Sequence, residues 1–260
     1  LQLGDSDMEE KFLQNLSDTS QVIFGPKAEL KFDLPLGTVL LVVSENLDTL
    51  FLNEFMSYYE NNGTEFKKLI KPSGEPWSDS IDLAFEKINF KVDGIVGIGG
   101  GSTLDFAKAI SILIQNVGLI NDYEFRNRLI ESAVPLWFVP TTCGSGSELT
   151  QYTVINNSKT KRKFTLSNEL LKPRQAAINP NLLRFITNQV RLESGLDAFT
   201  HCLEALLNYN QNKDLESVSK CGLTIARTAL PRTLNGEESQ DLFHQLCLMS
   251  AYGGASIARN

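Results

Sequence analysis

Histidine is scarce: only His201 and His244 occur in 260 residues. That count argues against a self-contained histidine-rich metal centre, because a catalytic metal site takes about three protein ligands plus an open position. Cysteine is sparse too. Cys143, Cys202, Cys221 and Cys247 include no Cys-x-x-Cys pair, which removes zinc knuckles and dithiol redox motifs. Four cysteines in a chain this long do not make a disulfide scaffold, so a reducing compartment, the cytoplasm, is expected. Basic charge is short as well. The 24 Lys and Arg stand against 31 Asp and Glu, a net charge of −7, which argues against a phosphate-backbone binder with its basic face, and no nucleic-acid partner is expected. A nucleotide site built from backbone N–H groups stays open. No apolar run reaches the roughly 18 residues of a membrane span, so no membrane association is expected. The start, Leu1-Gln2-Leu3-Gly4-Asp5, has no Met, no basic segment and no apolar h-region, and reads as a fragment or processed start rather than a signal peptide.

What is present is a globular composition, 42% hydrophobic and 21% charged, enough to build one large core or two ordinary ones. Residues 1–20 are polar and acidic and read as an N-terminal arm. A β-like stretch at Gln21 to Phe24 follows. Thr38 to Val43 is a continuous β-rich run of the kind buried on both faces of a parallel sheet. Residues 48–61 read as helix, closed by Asn62-Gly63. Lys67 to Ile70 reads as strand, Ser78 to Ile88 as helix, Gly94 to Ile98 as strand, Thr103 to Gln115 as helix, and Pro135 to Val139 as strand. This alternation predicts an α/β fold: a Rossmann-like N-terminal domain with a parallel sheet over 21–185. From Ser194 onward the pattern is helical, which predicts an all-α domain over 186–260.

The first chemical signal is Gly99-Gly100-Gly101-Ser102-x-x-Asp105-x-x-Lys108, placed between a strand and a helix. Glycines there let the backbone approach a ligand, and the helix N-terminus offers free N–H groups and partial positive charge, a combination suited to a pyrophosphate. The spacing is neither G-x-G-x-x-G nor a Walker A loop. A ligand-free reading also exists. Ser102-x-x-Asp105 has capping-box spacing, and Asp105 with Lys108 has the spacing of a surface ion pair worth a few tenths of a kcal/mol.

The second signal is Pro140-Thr141-Thr142-Cys143-Gly144-Ser145-Gly146-Ser147-Glu148, at the carboxyl end of a buried strand, where ligands of open α/β sheets bind. Its hydroxyls and glycines supply neutral donors at close range; an ordinary polar loop is the plain alternative. Cys143 is discounted as a nucleophile because neither histidine lies near it in sequence. The third signal is Asp197 with His201, four apart and so on one face of a helix, where a carboxylate and an imidazole can share a divalent metal. Two ligands are too few for a catalytic site. Here also Ser194-x-x-Asp197 has capping-box spacing. His244 lies beside the apolar positions Leu242, Phe243, Leu246 and Met249 and reads as a boundary or surface histidine.

Taken in order, the three signatures resemble those of the iron-dependent (group III) alcohol dehydrogenase family. Gly99 to Lys108 is similar to its first. Pro140 to Glu148 is similar to its second, with Ser145 where Thr is usual. Ser194-Gly195-Leu196-Asp197-Ala198-x-x-His201-x-x-Glu204-Ala205 is similar to its third, and Ile23-Phe24-Gly25-Pro26 looks like the start of that fold. The resemblance implies an NAD-binding α/β domain followed by a helical metal domain. By the match, Gly101 and Ser102 would contact the pyrophosphate, with Gly99, Gly100 and Asp105 belonging to the same cofactor site. Thr141, Thr142, Ser145 and Thr150 would line the cleft, and Lys163 would reach toward it. Glu45 falls where the family has a carboxylate on the adenosine ribose, which favours NAD over NADP because it repels a 2′-phosphate. Asp197 and His201 would be the first two metal ligands, for Fe²⁺ or, as the alternative, Zn²⁺.

The sequence departs from the family at Asn179, where Asp is usual before Pro180. The family's further ligands are histidines beyond Asn260, so the resemblance implies a helical domain that is incomplete here. On that view Leu246, Met249 and Tyr252 of the last helix are expected to lack partners and to promote self-association. The expected activity is hydride transfer between an alcohol or aldehyde and nicotinamide, with a small-molecule substrate and room for a homodimer. Alternatives are a glycerol-dehydrogenase-like or dehydroquinate-synthase-like enzyme, or a non-catalytic nucleotide-binding remnant.

Overall fold

A computed structural model of the chain describes residues 20–126, 130–208 and 213–259. The arm expected over 1–20 lies outside these except for Ser20. Among the described residues eight strands are present: β1 (Gln21–Phe24), β2 (Gly37–Ser44), β3 (Thr64–Lys71), β4 (Gly94–Gly99), β5 (Leu136–Pro140), β6 (Tyr152–Asn156), β7 (Lys163–Ser167) and β8 (Gln175–Ile178). Six form one sheet in the order β1-β8-β5-β4-β2-β3, and every neighbouring pair is parallel. The other two, β6 and β7, form an antiparallel hairpin. Helices α1 (Thr49–Glu60), α2 (Ser78–Phe85) and α3 (Gly101–Gln115) connect the first strands. After β8 the chain turns helical, with α4 (Asn188–Leu207), α5 (Lys213–Leu234) and α6 (Gln240–Ala258).

The reason for a buried parallel sheet is visible in β2. Val39, Leu41 and Val43 point to one face, against Phe55 and Tyr59 of α1, while Leu40 and Val42 point to the other, against Leu104 and Ala107 of α3. A strand covered on both sides carries no polar alternation. Strand order reverses between β2 and β4: from β2 the chain moves outward to β3, and from β4 it moves the opposite way to β5. Their carboxyl ends, Ser44 and Gly99, flank the crevice where ligands of such sheets bind.

Helix starts are set by local chemistry. Asp48 caps α1 by accepting from Phe51 N at 2.8 Å, and Ser239 caps α6 by accepting from Leu242 N at 3.2 Å. α4, α5 and α6 pack pairwise. Buried Arg191 of α4 donates to Leu183 O (2.9 Å) and Ile186 O (3.0 Å) and pairs with Glu238, locking α4 to the segment that leaves the sheet. The expectation that Leu246, Met249 and Tyr252 of the last helix lack partners is overturned. Leu246 and Met249 are fully buried and Tyr252 nearly so, because α6 lies against α4 and α5 and packs with Cys143, Leu149 and Ile178 of the α/β part. Among the described residues no helix is long and apolar enough to cross a membrane.

Candidate functional site

α3 begins at Gly101, directly after β4, and its N-cap is Gly100, which makes no side-chain cap. Ser102 is therefore inside the first turn and not a cap, so the capping-box reading of Ser102-x-x-Asp105 does not hold. Thr103 N and Leu104 N donate to Gly100 O, which leaves the N–H groups of Gly101 and Ser102 for a ligand. Small residues are required here by close approach. A Cβ on Gly100 would come within 3.1 Å of Thr142 Cγ2, one on Gly99 within 2.6 Å of Thr103, and one on Gly101 would overlap Ser145 Oγ. The glycine loop thus holds the strand-five loop tightly against it; Thr141 N also donates to Gly99 O at 2.9 Å.

Two recesses open on either side of this loop. The first, about 380 Å³, lies at the strand-order reversal. It is lined by Glu45 after β2, Lys71 at the end of β3, Gly100 and Ser102, and Thr141 and Thr142 after β5, with Leu182, Phe185 and Ile186 as an apolar wall. Glu45 is exposed, and its Oε2 accepts from Ser73 Oγ at 2.6 Å. The second recess, about 570 Å³, is lined by Gly101, Ser102, Asp105, Ser145, Thr150 and Lys163, and it also takes in Asp197 and His201 from α4. Ser102 is the ridge common to both. Every candidate residue except Gly99 therefore faces one of two adjoining spaces; Gly99 sits beneath, backing Thr103.

Asp197 Oδ1 and His201 Nε2 are 3.8 Å apart, with the Asp side chain 51% and the His side chain 24% exposed. One small cation can span that separation with two bonds of about 2.1 Å each. His201 Nδ1 is buried without a hydrogen-bond partner, which leaves Nε2 as the nitrogen aimed at the recess side. The donor set fits two ligands of a divalent metal. Among the described residues no group of three or more His, Cys, Asp or Glu could hold a metal ion. Ser194 and Asp197 both lie inside α4, and Ser194 Oγ donates to Val190 O at 2.7 Å, so the second capping-box reading also fails.

Lys108 does not form the surface ion pair that its spacing from Asp105 suggests; it is buried and reaches Asp105 only through the Ser147 hydroxyl. Lys108 is fully inaccessible, and five oxygens surround its Nζ: Ser147 O (2.7 Å) and Oγ (2.9 Å), Thr150 O (3.0 Å) and Oγ1 (3.3 Å), and Tyr152 O (2.7 Å). Ser147 Oγ donates onward to Asp105 Oδ1 at 2.7 Å, while Asp105 Oδ2 accepts from Val154 N at 3.2 Å. Burial pushes the Lys108 ammonium down to about 8, against the pull of Asp105 and Glu148. Burial likewise raises the Asp105 carboxyl, opposed by Lys108 and its two hydrogen bonds, and raises buried Glu148 to about 7. Lys163 does not extend freely into the recess: its Nζ pairs with Glu75 Oε2 at 3.1 Å across the lip.

Cys143 is buried, its thiol pushed up to about 11 by desolvation, and lies 3.2 Å from Ser194 Oγ; it is a packing group, not a nucleophile. His244 stacks edge-on against Phe24, ring centroids 4.9 Å apart, at the core boundary. Asn179 is buried, its amide donating to Glu29 Oε2 at 3.0 Å. Sequence reading missed Lys71, Phe185 and Ile186 of the first recess and Glu75, Tyr152 and Ile257 of the second. Of these only Lys71, next to the strand read over Lys67 to Ile70, carried a signal.

A parallel six-stranded sheet whose glycine loop feeds a helix at the strand-order reversal, followed by helices, defines a doubly wound α/β protein with an added helical region. Residues 19–180 match the family model described as iron-containing alcohol dehydrogenase, and the chain belongs to that family. It is 35% identical over 163 residues to alcohol dehydrogenase 4 of Saccharomyces cerevisiae, a match covering 63% of this chain and 43% of that one. It is 33% identical over 147 residues to the NAD-dependent methanol dehydrogenase of Bacillus methanolicus, covering 56% of this chain and 39% of the other. Among solved structures, the NADH-dependent butanol dehydrogenase A of Thermotoga maritima superposes with a TM-score of 0.83 at 21% identity, over 93% of this chain and 63% of that one. These matches span less than half of the two curated relatives' length.

Proposed function

We propose that the chain carries the nicotinamide-binding part and two metal ligands of an NAD-dependent alcohol/aldehyde oxidoreductase. The supporting observation is the second recess, where Gly101, Ser102 and Asp105 from the start of α3 meet Asp197 and His201 from α4 in one space. The division we propose is 21–185 for the dinucleotide and 186–260 for the metal.

The N–H groups at the start of α3, with the Ser102 hydroxyl, receive the pyrophosphate, where backbone donors and the helix dipole favour negative charge. Thr141 and Thr142 supply neutral donors on the first-recess side, and Glu45 accepts from the adenosine ribose while repelling a 2′-phosphate, which selects NAD. Ser145 and Thr150 line the second recess for the cofactor, and Lys163, paired with Glu75, stands at its outer edge. Asp197 and His201 hold Fe²⁺, the ion for which the family is named; the relatives give zinc no support. When bound, the nicotinamide would supply hydride chemistry and the cation, held by Asp197 and His201, would supply a Lewis acid for the substrate oxygen. The residues of this chain bind, orient and screen; none is assigned as a separate base. Four free cysteines fit a reducing, cytoplasmic setting.

The test is a titration of the 260-residue chain with NADH, followed by fluorescence, and an assay with a panel of alcohols and aldehydes in the presence of Fe²⁺ or Zn²⁺. NADH binding with preference over NADPH is expected, without metal-dependent turnover, because only two ligands stand together among the described residues. Absence of NADH binding would remove the dinucleotide reading. Turnover by this chain would remove the two-ligand argument.

A further inference from the structure

Lys108 lines neither recess, yet its ammonium holds Ser147, Thr150 and Tyr152, all of which line the second. We propose that Lys108 is a positioning residue, whose ammonium fixes the Ser147–Tyr152 segment as one wall of the cofactor recess and, through Ser147 Oγ, holds Asp105 in the orientation it presents there. The proposal deepens the dinucleotide reading and rests on it for its cofactor arm only.

A lysine inside a domain is costly, because the protein must replace water around a full charge. A core lysine that only filled space would be served equally by Met or Leu. Here the replacement is nearly complete: three N–H donors meet five oxygens, and the Phe138 ring of β5 lies 5.7 Å beneath. All five oxygens come from a segment with little regular structure of its own, a short turn at Ser147–Leu149 and the first residue of β6. The acceptors are mostly backbone carbonyls, so the ammonium organises main chain, and the side chains that face the recess follow. Ser147 Oγ couples this cage to Asp105, whose two carboxylate oxygens are then both engaged. The titratable groups facing Lys108 are Asp105 on its own helix and Glu148 on the loop; the β6 strand offers a carbonyl and β5 an aromatic ring.

The experiment compares wild type, Lys108→Met and the milder Lys108→Gln, which keeps a neutral donor should the Met variant fail to fold. Hydrogen exchange without cofactor reads the segment directly. The amides of Leu149, Thr150 and Val154 should exchange at least tenfold faster in the variants, with those of β2 and β4 unchanged. NADH titration from pH 6.5 to 9.5 reads the function. Wild-type affinity should fall about tenfold as Lys108 loses its proton near pH 8, and Lys108→Met should bind about tenfold more weakly at pH 7 and show no such fall. Glu148→Gln should keep the fall. Unchanged exchange in the loop, or a pH profile abolished by Glu148→Gln and retained by Lys108→Met, would overturn the proposal. Failure of wild type to bind NADH would instead remove the dinucleotide reading, and the exchange measurement would still decide the role of Lys108.

Discussion

Helix α6 touches the loop at Gly146 backbone to backbone, and Gly254→Ala tests what that contact controls. A Cβ built on Gly254 lies 2.6 Å from Gly146 O, 2.7 Å from Gly146 Cα and 3.0 Å from Gly146 C. Carbon atoms pack at about 3.5–4.0 Å, so the loop must retreat by about 1 Å. No side-chain rotation can relieve the overlap, because the opposing atoms are main chain. Gly146 itself has φ 59°, a conformation open to glycine, so the loop has no easy second arrangement. Overpacking of this kind costs about 1–3 kcal/mol, here at the upper end, and about 1 kcal/mol returns because alanine is the better helix former. The net is about 2 kcal/mol. At roughly 2–4 °C per kcal/mol for a chain of this size, the thermal midpoint should drop by about 4–8 °C.

The same shift displaces Ser145 and Ser147, which flank Gly146, so NADH affinity should fall along with stability. Ser250→Ala, one turn earlier on α6, is the matched control. The Ser250 hydroxyl is buried with no hydrogen-bond partner, so its removal should be neutral or slightly stabilising. Calorimetry and NADH titration of both variants provide the readout. A Gly254→Ala protein with wild-type midpoint and affinity would refute the claim that backbone contact with α6 sets the loop.

Glu148 gives a pH test of stability. Burial raises its carboxyl from 4.5 to about 7 in the folded chain, so between those values the folded state holds the proton that the unfolded state has released. Stability attributable to this group is therefore present below about pH 4.5 and is lost as pH rises toward 7. Glu148→Gln should be increasingly the more stable protein across that window, by up to roughly 3 kcal/mol above it; parallel denaturation midpoints from pH 5 to 7.5 would refute the assignment. Glu45→Ser should lower NADH affinity modestly and narrow the NADH-over-NADPH preference about tenfold, a coupling of roughly 1.4 kcal/mol, measured as the ratio of the two dissociation constants. An unchanged ratio would move cofactor selection away from Glu45.

How much of this was legible in the sequence depends on whether the signal was local. β2 and β4 announce themselves as apolar runs because both of their faces are covered, and the glycine loop does so because a strand, a tight approach and a helix start are contiguous. β8 reads Gln175-Ala176-Ala177-Ile178, with no β-branched residue before Ile178, yet it is a strand buried between β1 and β5. Its conformation comes from parallel neighbours distant in sequence, an influence that propensity does not carry. The hairpin of β6 and β7 escaped for a related reason, since its turn holds Lys161 at φ 60° rather than a glycine or Asn-Gly pair. Ser102 with Asp105, and Ser194 with Asp197, have the spacing of caps, but spacing cannot tell a helix's first turn from its interior. The helix boundary decides, and that was set by Gly100 in one case and Thr187 in the other. Lys108 is the sharpest instance. At three residues from Asp105 it has the form of a surface ion pair; what makes it a buried organiser is a ring of carbonyls from a segment some 40 residues on, brought to it only when the sheet closes. Motif spacing therefore named the residues of the proposed site, while the partners around each were set by the topology.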